Sequence, residues 1–445
     1  MASRDGREVV FGRRAIRPGS TENTLPRARS AQFGRRAVKG TIESSEAKPV
    51  LYSEGLRGYT GRLWRRENAT NESDEDNPSL RLYQSGKLRA PTVAMPGKSR
   101  LERISDAVAA DLRRLVFGGN SHVCPSGWQH GFILADCDVP YCLVQAQGGP
   151  CGVLAAVMAY MLKAMREKFP TAPHGGLPHL LGVLKASRGT MPSITKADRR
   201  ALLVEAIADI LWRIAEASPS HTVHLVCDLR SPERPHHGSM NTLTSKADAI
   251  SALQCATLYE EYTRGTGLIS FVYSALLTRG LTSIREDTDD PDGVTMLGAH
   301  GYCTQELVNL LLVGRAVSNT FDGQRDLDGL TLRGVDASVS CPIGLLSLYE
   351  HFECMQVGDK LKHPTAGIWL VCAESHYSLL YADGPSDDDV VELRYIDQLM
   401  ADEGEYHITL RRSNRVAPAK GMIEQCIRTR WQHYDISWNG RDPIL

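Results

Sequence analysis

The sequence predicts an α+β protein. Amphipathic helical patterns fill the first two thirds of its ordered part, and a β hairpin followed by another strand closes it. A third observation sets the scale: 445 residues, 42% hydrophobic and 23% charged, supply material for a large core. That balance excludes collagenous, wholly disordered and disulfide-dense classes. No run approaches the ~18 apolar residues that span a bilayer. The opening MASRDGREVVFGRR lacks the apolar stretch of a secretory signal, so an intracellular protein, cytoplasmic with the nucleus as a second compartment, is expected.

Residues 1–99 are rich in Arg, Ser, Gly and Pro, carry an acidic patch at 71–77, and show no sustained period. They read as an unstructured extension, with the folded domain at 100–445. The extension holds 19 Lys+Arg against 11 Asp+Glu, whereas the remainder holds 32 against 41. An acidic body argues against a nucleic-acid binder and suits a partner with a basic face.

Helical spacing of Ile104, Val108, Leu112, Leu115 and Val116, closed by Gly118-Gly119, predicts a first helix beginning near Leu101. Tyr141–Val144 reads as a strand or extended segment leading into Gln145-Ala146-Gln147-Gly148-Gly149-Pro150-Cys151. After that turn Val153, Leu154, Val157, Tyr160, Met161 and Ala164 line one face of a helix running to Lys168. Thr195 with Asp198 three residues on is a capping pair opening a second long helix through Leu202, Leu203, Ile207, Ile210, Leu211 and Ile214. A strand is expected at 222–227 and helices at 247–261, 269–278 and 304–312. The C-terminal part turns to β, with a hairpin formed by 368–372 and 376–381 about a tight Ala373-Glu374-Ser375 turn. A third strand follows at 390–396 after the loop at 384–387. The sheet is expected to be antiparallel.

The segment before the central helix carries the chemistry. It places Cys151 at a helix N-terminus, where the local field stabilises a thiolate. Gly148 and Gly149 are expected to leave the sulfur uncovered and to let a substrate backbone approach closely. Gln145 is placed to aim its amide at the oxyanion formed when a thiolate attacks a carbonyl. Taken alone, the segment fits a buried structural cysteine equally well. A thiolate enzyme needs a base, and His376, at the start of a strand after the tight turn, is the best placed of 14 histidines. Asp397, at the end of the next strand, is a candidate to hold its tautomer.

The eleven cysteines form no C-x-x-C pair, which suits a reducing compartment. His221-x-x-His224 and His236-His237 have no companion Cys or carboxylate at ligand spacing. No metal and no cofactor is therefore expected, and no P-loop or dinucleotide fingerprint is present.

Four blocks, QAQGGPCGVLAAVMAYMLK (145–163), GYCTQELVNLLLVGRAVSN (301–319), IWLVCAESHYSLLY (368–381) and CIRTRWQHYDISWNGRDPIL (426–445), resemble the MINDY deubiquitinases. The similarity is to the branch of the third and fourth members, in a compact 4B-like form, and spans essentially all of 101–445. It implies a papain-like cysteine peptidase fold and hydrolysis of isopeptide bonds in ubiquitin chains, with a preference for Lys48 linkage. It also implies Cys151 as nucleophile, His376 as base and Gln145 as oxyanion residue, with ubiquitin and polyubiquitin as partners and no membrane. Two departures stand out. The family's Tyr-Asp-Gly is Ile396-Asp397-Gln398 here, and position 158 is Met where many relatives have Gln. The rival expectations are a catalytically silent ubiquitin-binding module and papain-like chemistry on another substrate.

Overall fold

The computed structural model describes residues 100–119, 123–169, 194–327, 329–384 and 389–441; the expected extension at 1–99 and most of the 384–387 loop lie outside them. The described residues open with a strand. β1 (Arg100–Arg103) pairs antiparallel with 239–242, and Ser105 then caps α1 (Asp106–Phe117). The helix predicted from Leu101 thus starts later, and Ile104 lies outside it. The strand's partner is more than 130 residues away, beyond any local signal.

Of the segment expected to be extended, Tyr141 instead lies in a turn closed by the Cys142 N–H to the Val139 carbonyl, and Leu143 forms an isolated bridge with Leu134. α2 (Cys151–Lys168) follows. Its apolar residues were expected on one face, yet every residue from 151 to 162 is buried, which marks a central helix rather than a surface one. Met158 belongs to this core.

α3 (Lys196–Ala217) opens on the expected capping box. The Thr195 hydroxyl accepts from the Asp198 backbone N at 3.1 Å, and the Asp198 carboxylate accepts from the Thr195 backbone N at 2.9 Å. β2 (Val223–Cys227) and β3 (Ser239–Leu243) join β1 in a three-stranded sheet of order β1-β3-β2. The single helix expected over 247–261 is divided at Cys255 into α4 (Lys246–Gln254) and α5 (Ala256–Thr263). α6 (Gly267–Arg279), α7 (Leu281–Asp287) and α8 (Gln305–Val313) complete the helical part. Arg279 and Asp287 meet there as a buried bidentate pair at 2.6 and 2.8 Å.

A small hairpin, β4 (Gln324–Leu327) and β5 (Leu330–Arg333), precedes the main sheet. That sheet contains β6 (Ile343–Ser347), β7 (Ile368–Ala373), β8 (His376–Ala382), β9 (Val390–Ile396), β10 (Tyr406–Arg412) and β11 (Tyr434–Ser437). α9 (Met422–Arg428) lies between the last two in the chain. Strand order is β11-β10-β9-β8-β7-β6. The sheet is mixed, which corrects the antiparallel expectation: β6 and β7 run parallel, joined by a crossover through 348–367.

The molecule is α+β. α2 packs against α3 and α8 on one side and β7 and β8 on the other. The opposite sheet face carries a second core with α9, Trp369, Trp431 and Trp438. Covered on both faces, β7 is buried along its whole length and so reads in the sequence as an unbroken apolar run.

Candidate active site

The N-terminus of α2 meets the start of β8. Cys151 is the first residue of α2, after Pro150 and with no side-chain cap. Its Sγ donates to the Ser375 carbonyl at 3.6 Å, in the turn that joins β7 to β8. The sulfur is not uncovered as expected, because Cys151 is only 1% exposed. That turn lies against the helix start, and nothing in local sequence connects the two. Within it Glu374 holds φ at 55°, in the left-handed region.

The two glycines have different surroundings. Gly148 is exposed, and a Cβ there would come no closer than 3.8 Å to the Tyr302 ring. Gly149 is buried at φ 129°, where a Cβ would approach both the Gly301 carbonyl oxygen and the Trp128 Nε1 to 3.0 Å. The Trp128 indole N–H donates to that same carbonyl at 2.7 Å, and the Cys303 thiol donates to the Gly149 carbonyl at 3.5 Å. The shape of the turn before Cys151 therefore depends on Gly149, while Gly148 is the open one. Gly149→Ala is expected to destabilise the fold by about 1–3 kcal/mol, and Gly148→Ala by less than about 0.5 kcal/mol. Thermal unfolding of the two variants side by side checks this, and equal midpoints would contradict it.

His376 is the first residue of β8, and Asp397 follows the last residue of β9. The strands are antiparallel with Leu379 opposite Ile396, so continuing the register sets Asp397 across from Ser378, on the face His376 shares. His376 Nε2 and Asp397 Oδ2 are 2.8 Å apart. Asp397 is 4% exposed; its other oxygen accepts from the Leu399 N–H at 2.9 Å, and the Tyr395 hydroxyl donates to Oδ2 at 3.5 Å. Burial by itself would lower the His376 pKa. The Asp397 carboxylate outweighs it, by charge and by hydrogen bond, and together with Cys151 raises it from 6.5 to about 10. With Nε2 engaged by Asp397, Nδ1 is the ring atom left for Cys151.

Gln145 is buried behind the nucleophile. Its Nε2 donates to the Gln147 carbonyl at 3.2 Å, and its Oε1 accepts from Gln398 Nε2 at 3.1 Å. Gln398 is a residue the sequence reading did not select. It is wholly buried, and the same nitrogen reaches the Tyr377 carbonyl at 2.7 Å and the Cys151 carbonyl at 3.5 Å. Its position directly after Asp397 was the available signal. Trp128, which the sequence reading also did not select, braces the turn before Cys151.

Burial pushes the neighbouring Cys372 thiol up to about 12 and raises Cys303 as well. Of the surveyed histidines, His224 bonds Thr242 and Thr222 through its two ring nitrogens at 3.0 and 3.3 Å. Among the described residues no group of three or more His, Cys, Asp and Glu is placed to hold a metal ion.

A helix-initial thiol facing a strand-borne His–Asp pair, with a buried amide beside it, is the arrangement that cysteine-nucleophile hydrolases use. Comparison with known proteins leads to the same class. The family model described as deubiquitinating enzyme MINDY-3/4, conserved domain, matches residues 113–440, and the chain belongs to that family. It is 34% identical over 436 residues to the Homo sapiens protein named probable ubiquitin carboxyl-terminal hydrolase MINDY-4, covering 91% of this chain and 54% of that one. The Mus musculus protein of the same name is 33% identical over 422 residues, covering 86% and 54%. The ubiquitin carboxyl-terminal hydrolase MINDY-3 homolog of Drosophila melanogaster is 28% identical over 315 residues, covering 61% and 56%. The chain spans about half the length of the curated relatives it matches. No solved structure matches it.

Proposed function

We propose that this chain is a thiol-dependent deubiquitinase with a papain-like arrangement of its site. The observation that carries the reading is the His376–Asp397 pair, 2.8 Å apart, set beside Cys151 at the start of α2. An imidazole held charged at neutral pH is the counter-ion a thiolate nucleophile requires.

In the proposed reaction the Cys151 sulfur attacks the carbonyl of ubiquitin's C-terminal glycine, and the carbonyl electron pair moves onto oxygen. Gln145 Nε2 has one proton on Gln147 and a second to offer that oxyanion. Collapse expels the lysine amine, which takes its proton from His376 and leaves a thioester on Cys151. Acylation also removes the sulfur's charge, and with it the share of the raised His376 pKa that Cys151 supplies. His376 thereby becomes a competent base for the water that releases the C-terminal carboxylate. A buried thiol beside an open Gly148 suits a tail without side chains, as a Gly-Gly terminus is.

Polyubiquitin, Lys48-linked in the first instance, is the substrate the family similarity favours. The eleven free thiols favour a reducing, cytosolic site of action. The second reading, a silent ubiquitin-binding module, is favoured by one observation, the 1% exposure of Cys151.

A ubiquitin probe carrying a C-terminal electrophile separates the two. The expected result is one adduct by intact mass, mapped to Cys151. Retained ubiquitin binding without an adduct would select the silent module, and the absence of both would reject ubiquitin as partner.

A further inference from the structure

Gln398 holds three parts of the site with one donor group. Its Nε2 lies 2.7 Å from the carbonyl of Tyr377, the residue after His376, 3.1 Å from Gln145 Oε1, and 3.5 Å from the carbonyl of Cys151. The two backbone carbonyls at one end identify that end as the nitrogen, since a flipped carboxamide would set its oxygen against both. The side chain is completely buried, and its own Oε1 has no partner among the described residues. All of its hydrogen bonding is therefore concentrated where the strand of the base, the helix of the nucleophile and the Gln145 amide converge.

Resting on the deubiquitinase reading above, we infer that Gln398 is a positioning residue that fixes the orientation of the Gln145 amide and so decides which of its ends faces the oxyanion. Gln145 Oε1 is occupied by Gln398, so its Nε2 must be the opposite end. One Nε2 proton goes to the Gln147 carbonyl at 3.2 Å, and the other remains for a developing negative charge. Without the Gln398 donor, only the 3.2 Å bond to the Gln147 carbonyl is left to choose between the two orientations of the Gln145 amide. In the wrong one it presents an oxygen lone pair to the oxyanion, which repels it.

Two reactions at Cys151 that need no ubiquitin test this. With p-nitrophenyl acetate the sulfur adds to the ester carbonyl, the electron pair moves onto oxygen, and collapse expels p-nitrophenolate, so an oxyanion forms on the way. Iodoacetamide alkylates by direct displacement of iodide and forms none. Both products are read at Cys151 by peptide mass. Gln398→Met, close in shape but without a donor, is expected to slow acylation roughly 10–100-fold while leaving alkylation within about twofold. Because Gln398 acts through Gln145, adding the same change to Gln145→Ala should slow acylation by less than about a further twofold. Gln398→Leu, apolar and without a donor, provides the same comparison where the methionine variant does not fold.

Equal slowing of both reactions would assign Gln398 a purely structural role and overturn the inference. So would unchanged acylation, or an undiminished effect in the Gln145→Ala background. A wild-type protein that shows this pattern but cleaves no ubiquitin substrate would reject the proposed function and leave the role of Gln398 standing.

Discussion

Replacing Cys151 by alanine is expected to abolish hydrolysis of a ubiquitin C-terminal substrate, with a loss of about 10⁴-fold or more. The alanine keeps the Cβ packed at the start of α2 and gives up the thiol's contact with the Ser375 carbonyl and its interaction with the His376 ring. The thermal midpoint should therefore stay within about 3 °C of wild type, so that lost turnover reports chemistry and not unfolding. Turnover is followed by release of a C-terminal fluorophore, with unfolding measured on the same preparations. A variant retaining more than a few per cent of the wild-type rate would place the nucleophile elsewhere. Ten other cysteines are available to be tried, but Cys372 and Cys303 are held by burial in the neutral thiol form.

Asp397→Asn is expected to have the next largest effect. The amide preserves the shape of the site but removes the charge that holds the His376 pKa up at about 10. Burial, which opposes the charged ring, is then left to dominate, and the pKa falls. Activity that needs an imidazolium is lost in wild type as pH rises through about 10; in the variant the same loss moves to lower pH. At neutral pH kcat should drop about 10²–10⁴-fold.

The stability consequence has a defined sign. Because the folded pKa lies above the unfolded 6.5, the bound proton contributes stability that is fully present below 6.5 and disappears as pH rises through about 10. The stability difference between wild type and Asp397→Asn should therefore shrink as the buffer is taken from pH 6 toward pH 10. An NMR titration of the His376 ring, together with the pH–rate profile, measures both effects. An unchanged ring titration in the variant would remove Asp397 from its assigned place.

Much of the helical architecture is legible in the chain because its signals are local. The Thr195–Asp198 box marks the start of α3, and Gly314 in the left-handed conformation ends α8 where the apolar run stops. The β7–β8 hairpin is equally plain, being two apolar runs about a tight turn with His376 opposite Ala373. Cys151 could be selected because a glycine turn opening an apolar helix is a local motif, and His376 and Asp397 because both follow from strand edges that can be counted. Gln398 could not. Its importance lies in three acceptors contributed by residues 145, 151 and 377, which no spacing rule brings together.

The sequence alone determined the two long helices, the hairpin, and the residue types that thiol chemistry needs, since capping, periodicity and turn preference act within a few residues. Tertiary structure decided the rest. It paired β1 with β3 across more than 130 residues, ran β6 parallel to β7, and buried α2 on every side from 151 to 162. It also laid the 373–376 turn against the start of α2, which covers Cys151 and sets it beside a charged imidazole. These outcomes depend on which surfaces exclude water together, and that is a property of the packed chain rather than of any segment.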